Sequence, residues 1–190
     1  SEKVDFQVGP AMRYEKIFRT KTNPSEMQNL LVLLSYWDYE ISNVLQLLNE
    51  TPLEVPIKIR FHPTTPVEKF KSQINGNLEV VEGDIYKQFE MARMVMGAST
   101  GSMVEAVGLG IPVISIVNKT RFSANYLPGF GKGILWDFAT TGAEVIELVE
   151  KFNFALENER DEINKIAKKT REMYFCEPTE GTIIKAFNLA

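Results

Sequence analysis

A chain of 190 residues, 44% of them apolar, has the length of one domain and enough apolar surface to bury a core. Its net charge of −4 argues against a general nucleic-acid binder, which carries a basic face, while leaving room for a single phosphate pocket. One cysteine, Cys176, cannot close an internal disulfide, and no apolar run approaches the roughly 20 residues of a membrane span, so the expectation is a soluble protein of a reducing, cytoplasmic compartment. The N-terminus lacks the basic-then-apolar order of a signal peptide. It opens Ser1-Glu2-Lys3 without an initiator Met, which reads as a portion excised from a longer protein. Residues 1–29 read as an interdomain linker segment with one short helix, and 30–190 as the domain itself.

In chain order, short apolar runs alternate with helical patterns. Leu30 to Ser35 is a continuous apolar strand of the kind buried on both faces of a parallel sheet. Asp38 is placed to cap the helix that follows, whose apolar face holds Ile41, Val44, Leu45 and Leu48. A second strand, Ile57 to Phe61, stops at His62-Pro63 and precedes a helix around 67–74. The third, Leu78 to Val81, ends at Glu82-Gly83-Asp84 and feeds a helix through Tyr86, Phe89 and Ala92. The fourth, Met94 to Gly97, leads through a Gly/Ser/Thr turn into a helix from Ser102 to Gly108, and the fifth runs from Pro112 to Val117. Ile134-Leu135-Trp136 adds a sixth, and helices near 141–152 and 157–174 finish the domain. This alternation predicts an α/β fold: a Rossmann-like, doubly wound parallel sheet of about six strands with flanking helices. Residues 118–133 form the longest loop, a length that is usually functional.

In such sheets ligands bind beyond the carboxyl ends of the strands, where strand order reverses. The turn Gly97-Ala98-Ser99-Thr100-Gly101-Ser102 is the sharpest feature at those ends. Glycine admits close backbone approach, amides at a helix start attract anions, and Ser99, Thr100 and Ser102 add hydroxyls. The competing explanation is an ordinary helix cap, and Glu105, three residues past Ser102, completes a capping box on that view. Placed one turn inside a site, the same carboxylate instead suits a ribose diol. His62 is the only histidine, and Pro63 holds it extended at the sheet mouth, where a donor imidazole would stabilise a leaving phosphate. Arg60, two residues back, points to the same face.

Other motifs point less sharply. Gly129-Phe130-Gly131-Lys132-Gly133 has the composition of a phosphate loop without its Gly-x-x-x-x-Gly-Lys-Ser/Thr spacing, and no Gly-x-Gly-x-x-Gly follows the first strand. One histidine and one cysteine give no zinc spacing, so no metal site is expected. Gly97 to Gly101 matches Gly-x-Ser-x-Gly, yet a hydrolase needs a histidine base after the serine and none follows.

With these residues in place, the chain resembles the C-terminal domain of GT-B glycosyltransferases and of UDP-N-acetylglucosamine 2-epimerases across residues 4–175. The resemblance rests on Ser99-x-Gly101-x-x-x-Glu105-Ala106 followed by Gly110-Ile111-Pro112-Val113-Ile114, and on Arg60-Phe61-His62-Pro63, which is similar to the His-Pro motif of capsule and lipopolysaccharide transferases and bacterial sialyltransferases. It implies that Ser99, Thr100, Gly101 and Ser102 hold the donor diphosphate, with His62 as the catalytic residue beside it. Glu105 would bind the ribose hydroxyls, and Gly83, Asp84 and Ile85 would border the base. Arg60, Lys119 and Arg121 would balance phosphate charge. Val8-Gly9-Pro10-Ala11 looks like the interdomain segment leading from an N-terminal acceptor domain.

The implied activity is transfer of a sugar from a UDP-, CDP- or CMP-linked donor in surface-polysaccharide assembly, without cofactor or metal. The implied partners are the nucleotide-sugar and the protein's own N-terminal domain, with no nucleic acid and any membrane contact, at the inner face, made through that other half. An epimerase carries Arg-Pro-Glu where Lys119-Thr120-Arg121-Phe122 stands here. The alternatives are an epimerase-like enzyme, a CDP-glycerol-type phosphotransferase, or a non-catalytic nucleotide-binding module.

Overall fold

The computed structural model describes residues 9–188, so Val8 of the interdomain segment lies outside the described residues. Six strands run Asn29–Leu33 (β1), Ile57–Arg60 (β2), Leu78–Val80 (β3), Ala92–Gly97 (β4), Val113–Ile116 (β5) and Trp136–Ala139 (β6). They form one sheet in the order β3-β2-β1-β4-β5-β6, with every pairing parallel. Chain order therefore reverses between β1 and β4, where Leu33 sits in register with both Arg60 and Gly97.

The central strands are apolar on both faces because helices cover both. Leu30 to Leu33 and Met94 to Gly97 are buried throughout. Helices run Lys16–Arg19 (α1), Asp38–Glu50 (α2), Ile85–Glu90 (α3), Ser102–Gly108 (α4), Gly142–Asn158 (α5), Arg160–Tyr174 (α6) and Glu180–Phe187 (α7). The predicted apolar face of α2, Ile41, Val44, Leu45 and Leu48, is buried to within 2% exposure. A capping box of Thr141 and Glu144 starts α5 at the predicted place.

Several local expectations shift. Asp38 does not cap α2: the N-cap is Trp37, and the Asp38 carboxylate pairs with Lys69 on the segment Val67–Gln73. That segment is a 3-10 helix. Ala92 opens β4 rather than closing α3, since Met91 already ends that helix. The sixth strand begins at Trp136, two residues later than the apolar run suggests. Gly131 and Gly133 both take positive φ, and the Gly131 carbonyl accepts the amides of Ile134 and Leu135, so 131–135 is spent on a turn. Lys132 of that turn reaches Asp137 at 3.6 Å and lies over the Phe138 ring, away from the sheet mouth. The C-terminal helix α7 was not legible as an element.

The segment before β1 packs onto the domain. Ile17 is 1% exposed and sits against α4, close enough that a Cβ on Gly108 would meet its Cδ1 at 2.9 Å. Ala11 donates its amide to the Cys176 carbonyl, and Thr22 donates to the Leu109 carbonyl. No helix among the described residues is long and apolar enough to cross a membrane.

Candidate functional site

The reversal between β1 and β4 opens a cavity of about 240 Å³. Each wall has a separate origin. Leu33 and Leu34 come from the end of β1, and Arg60, His62 and Pro63 from the end of β2. Thr100, Ser102 and Glu105 come from the turn after β4 and the first turn of α4. Ile85 and Tyr86 come from α3, and Arg13 and Tyr14 from the N-terminal segment. Arg60, His62 and Pro63 also wall a second cavity of about 380 Å³, closed by Val80, Val81, Glu82 and Gly83 after β3. Two adjoining spaces of this size suit an extended small molecule.

Why the turn comes so close to β1 is visible at Gly97: a Cβ there would meet the Leu33 carbonyl oxygen at 2.7 Å. Only glycine allows that approach. Ser99 then takes φ +44°, a left-handed conformation uncommon outside glycine. Its hydroxyl is turned inward, donating to the buried Glu40 carboxylate at 2.5 Å and accepting the Ala124 amide at 2.9 Å. Ser99 is 5% exposed and lines neither cavity, so its hydroxyl ties the turn to α2 and to the long loop. Thr100 and Ser102 face the cavity in its place. Gly101 is exposed and is the N-cap of α4, contributing no side-chain cap, so the first amides of that helix keep no side-chain partner.

The capping box of Ser102 and Glu105 is not formed. Glu105 is instead 7% exposed on the cavity wall and accepts a 2.5 Å hydrogen bond from the Tyr86 hydroxyl. Burial raises its pKa above the ordinary carboxylate value. The Tyr86 and Ser102 hydroxyls and the nearby Arg13 and Arg60 charges oppose that rise without cancelling it. Tyr86 is held protonated in turn, its own pKa raised by burial and by donation to that carboxylate.

Arg60 donates to the Gly83 carbonyl at 3.1 Å, which fixes the start of α3 against β2. Its Nε is buried and has no partner among the described residues, a donor available to a ligand. His62 is half-buried. Thr64 supplies both its amide and its hydroxyl toward Nδ1, at 3.3 and 2.7 Å, which assigns the proton of the neutral ring to Nε2.

Asp84 caps α3 by accepting the Tyr86 amide and pairs with Lys16. Lys16 first, then that amide, hold its carboxyl below the usual range. Asp84 is thus committed to structure, while its neighbours Gly83 and Ile85 line one cavity each. Lys119 and Arg121 are exposed on the loop after β5 and line neither cavity. Arg121 lies over the Tyr39 ring, 5.2 Å from its centroid.

Arg13, Tyr14, Tyr86 and Glu40 escape a sequence reading. The first two sit in a segment that reads as linker, Tyr86 reads as part of an apolar helix face, and Glu40 reads as a polar position of α2. Only Arg13 and Tyr14 left a signal, a cation beside an aromatic in an otherwise plain stretch.

No family model and no curated protein matches the chain. Solved structures do. The calicheamicin glycosyltransferase CalG4 superposes with a TM-score of 0.55 at 16% identity, over 89% of this chain and 46% of that one. The fold is that of a Rossmann-like GT-B domain. A UDP-GlcNAc 2-epimerase from Methanocaldococcus jannaschii, in complex with UDP-GlcNAc and UDP, superposes at 0.52 and 14% identity, over 86% of this chain and 51% of that one. The wall teichoic acid polymerase TagF does so at 0.50 and 13%, over 93% and 45%. This GT-B-type domain therefore spans about half the length of the proteins it matches.

Proposed function

We propose that this domain binds the nucleotide-activated donor of a glycosyltransferase of surface-polysaccharide assembly, working on the cytoplasmic side of a membrane with an N-terminal acceptor domain as its other half. The observation that carries the reading is the convergence of Arg60 and His62, from the end of β2, and Thr100, Ser102 and Glu105, from the turn and helix after β4, on one cavity at the reversal of strand order. The donor diphosphate lies against Thr100, Ser102 and the start of α4, with charge supplied by Arg60 and Arg13 in place of a metal ion. His62 presents its Nε2 proton to the leaving phosphate. Glu105 accepts the ribose hydroxyls, and the base enters the second cavity beside Gly83. Ser99 serves this arrangement through the backbone it holds.

Calorimetry with UDP, CDP and CMP tests the reading directly. One of these nucleotides is expected to bind the domain equally well with and without EDTA, and Glu105→Ala is expected to weaken it about tenfold or more. Absence of binding by all three, with Glu105→Ala indistinguishable from the parent, overturns the proposal. Binding without any sugar transfer by the complete protein would make the domain a nucleotide-binding module instead.

A further inference from the structure

The end of β1 continues past the cavity into a run of aromatic rings with no counterpart elsewhere on the described surface. Tyr36 stands edge-on to His62, with ring centroids 5.8 Å apart, and edge-on to Trp37 at 5.1 Å. Trp37 stacks on Tyr39 and meets Phe122 edge-on, both at 5.9 Å. Tyr36 is 52% exposed and Phe122 70% exposed, both within this one linked cluster of rings.

The cluster is nonetheless ordered from below. The Tyr39 hydroxyl donates to the Phe122 carbonyl at 2.6 Å, and the Asn118 side chain accepts the amides of Thr120 and Arg121. Two residues beyond Phe122, the Ala124 amide is fixed to Ser99 and through it to Glu40. Arg121 packs its guanidinium on the Tyr39 ring, which leaves the in-plane N–H groups available to an oxyanion.

We propose that Tyr36 and Phe122, with Arg121 beside them, form a platform that binds an anionic oligosaccharide, the acceptor chain, immediately outside the donor cavity. The proposal rests on the donor reading of that cavity, since His62 belongs to both. Pyranose rings present axial C–H bonds to aromatic faces, a contact that needs exposed, rigid rings such as these. The run from His62 through Tyr36 and Trp37 to Phe122 is longer than one six-membered ring can cover, so it suits several sugar residues of an acceptor better than the single sugar of a donor. Charge points the same way. In a chain of net charge −4, the loop carrying Phe122 presents Lys119 and Arg121, and neither lies in the donor cavity.

Saturation-transfer NMR on the full chain tests this with hyaluronan tetrasaccharide as the anionic probe and chitotetraose as the neutral one. The expected result is binding of the anionic probe, with saturation strongest on ring C–H protons. Phe122→Ala should weaken that binding about tenfold while nucleotide affinity, measured separately by calorimetry, stays within about twofold. Arg121→Gln should weaken the anionic probe about threefold and abolish the preference over the neutral one. Binding of neither probe, or equal binding to the parent and Phe122→Ala, overturns the platform. So does a dimer in light scattering that Phe122→Ala dissolves, because a second copy would then be the occupant. Loss of nucleotide binding with the saccharide result intact would instead remove the donor reading.

Discussion

The two loops that flank β5's neighbours at the sheet mouth behave in opposite ways. The turn between β4 and α4 is four residues long and is constrained along its length: by the approach of Gly97 to Leu33, by the left-handed Ser99 and by the start of a helix. The loop after β5 runs through residues 117–135 without a helix or strand and is held at a few points, among them the Ala124 amide on Ser99. The short turn aims Thr100 and Ser102 into the cavity and Ser99 away from it, each direction set by the fixed backbone. The long loop carries cations and an aromatic ring whose positions depend on what the turn and α2 offer it. One serine joins the two, so a residue that reads as a ligand in sequence acts as the joint between them.

Breaking the turn should have the largest effect. Gly97→Val places a side chain into the Leu33 carbonyl, which cannot move without disrupting the β1–β4 pairing. A loss of about 3 kcal/mol or more is expected in urea unfolding, together with loss of nucleotide binding.

Next comes the joint. Ser99→Ala removes both hydrogen bonds and leaves the Glu40 carboxylate, 2% exposed and already with one unpaired oxygen, with none. About 2 kcal/mol of stability should go, with faster amide exchange at residues 120–127. Ser102→Ala, by contrast, should leave stability within about 0.5 kcal/mol and weaken nucleotide binding about fivefold. Equal behaviour of the two variants would dissolve the distinction drawn between these serines.

The Glu105 carboxylate gives a pH test. Its folded-state pKa is raised, so the folded protein holds a proton that the unfolded chain releases first as pH rises. Stability attributable to this group is therefore lost as pH climbs from the unfolded value through the folded one, and the penalty is complete above it. Glu105→Gln, which keeps an oxygen for Tyr86, should be more stable than the parent at neutral pH and show no such gain below about pH 4, where both forms are uncharged. Denaturation midpoints across pH read this out.

The smallest effect is expected at Lys132, which has the composition of a phosphate loop around it but an ion pair with Asp137 in fact. Lys132→Ala should cost about 0.5 kcal/mol in thermal or urea unfolding and leave nucleotide affinity alone.

Much of this was legible from residues alone. Continuous apolar runs identify β1, β4 and β5, because strands covered on both faces need no alternation, and helical spacing identifies α2, α4 and α5. The strand ends then name His62, Thr100, Ser102 and Glu105 through topology. Less legible were features that arise only when distant segments meet. The sixth strand moved because two glycines with positive φ consumed its predicted start, and Asp38 gave up its cap to an ion pair with Lys69. The segment before β1 has too few apolar residues to announce itself, yet Ile17 is among the most buried side chains and Arg13 reaches the cavity.

By itself, then, the sequence determined the parallel sheet, the place where strand order reverses and a cavity opens, and most of the groups that line it. Those depend on local periodicity and on where each strand stops, and both are written within a few residues. Only the tertiary structure decided what each group contacts. Ser99 faces Glu40 and not the cavity, Glu105 accepts from Tyr86 in place of closing a capping box, and Arg121 lies on the Tyr39 ring outside both cavities. Each of those outcomes rests on contacts between segments 19 to 82 positions apart, where side-chain direction is set by packing that no single stretch of chain encodes.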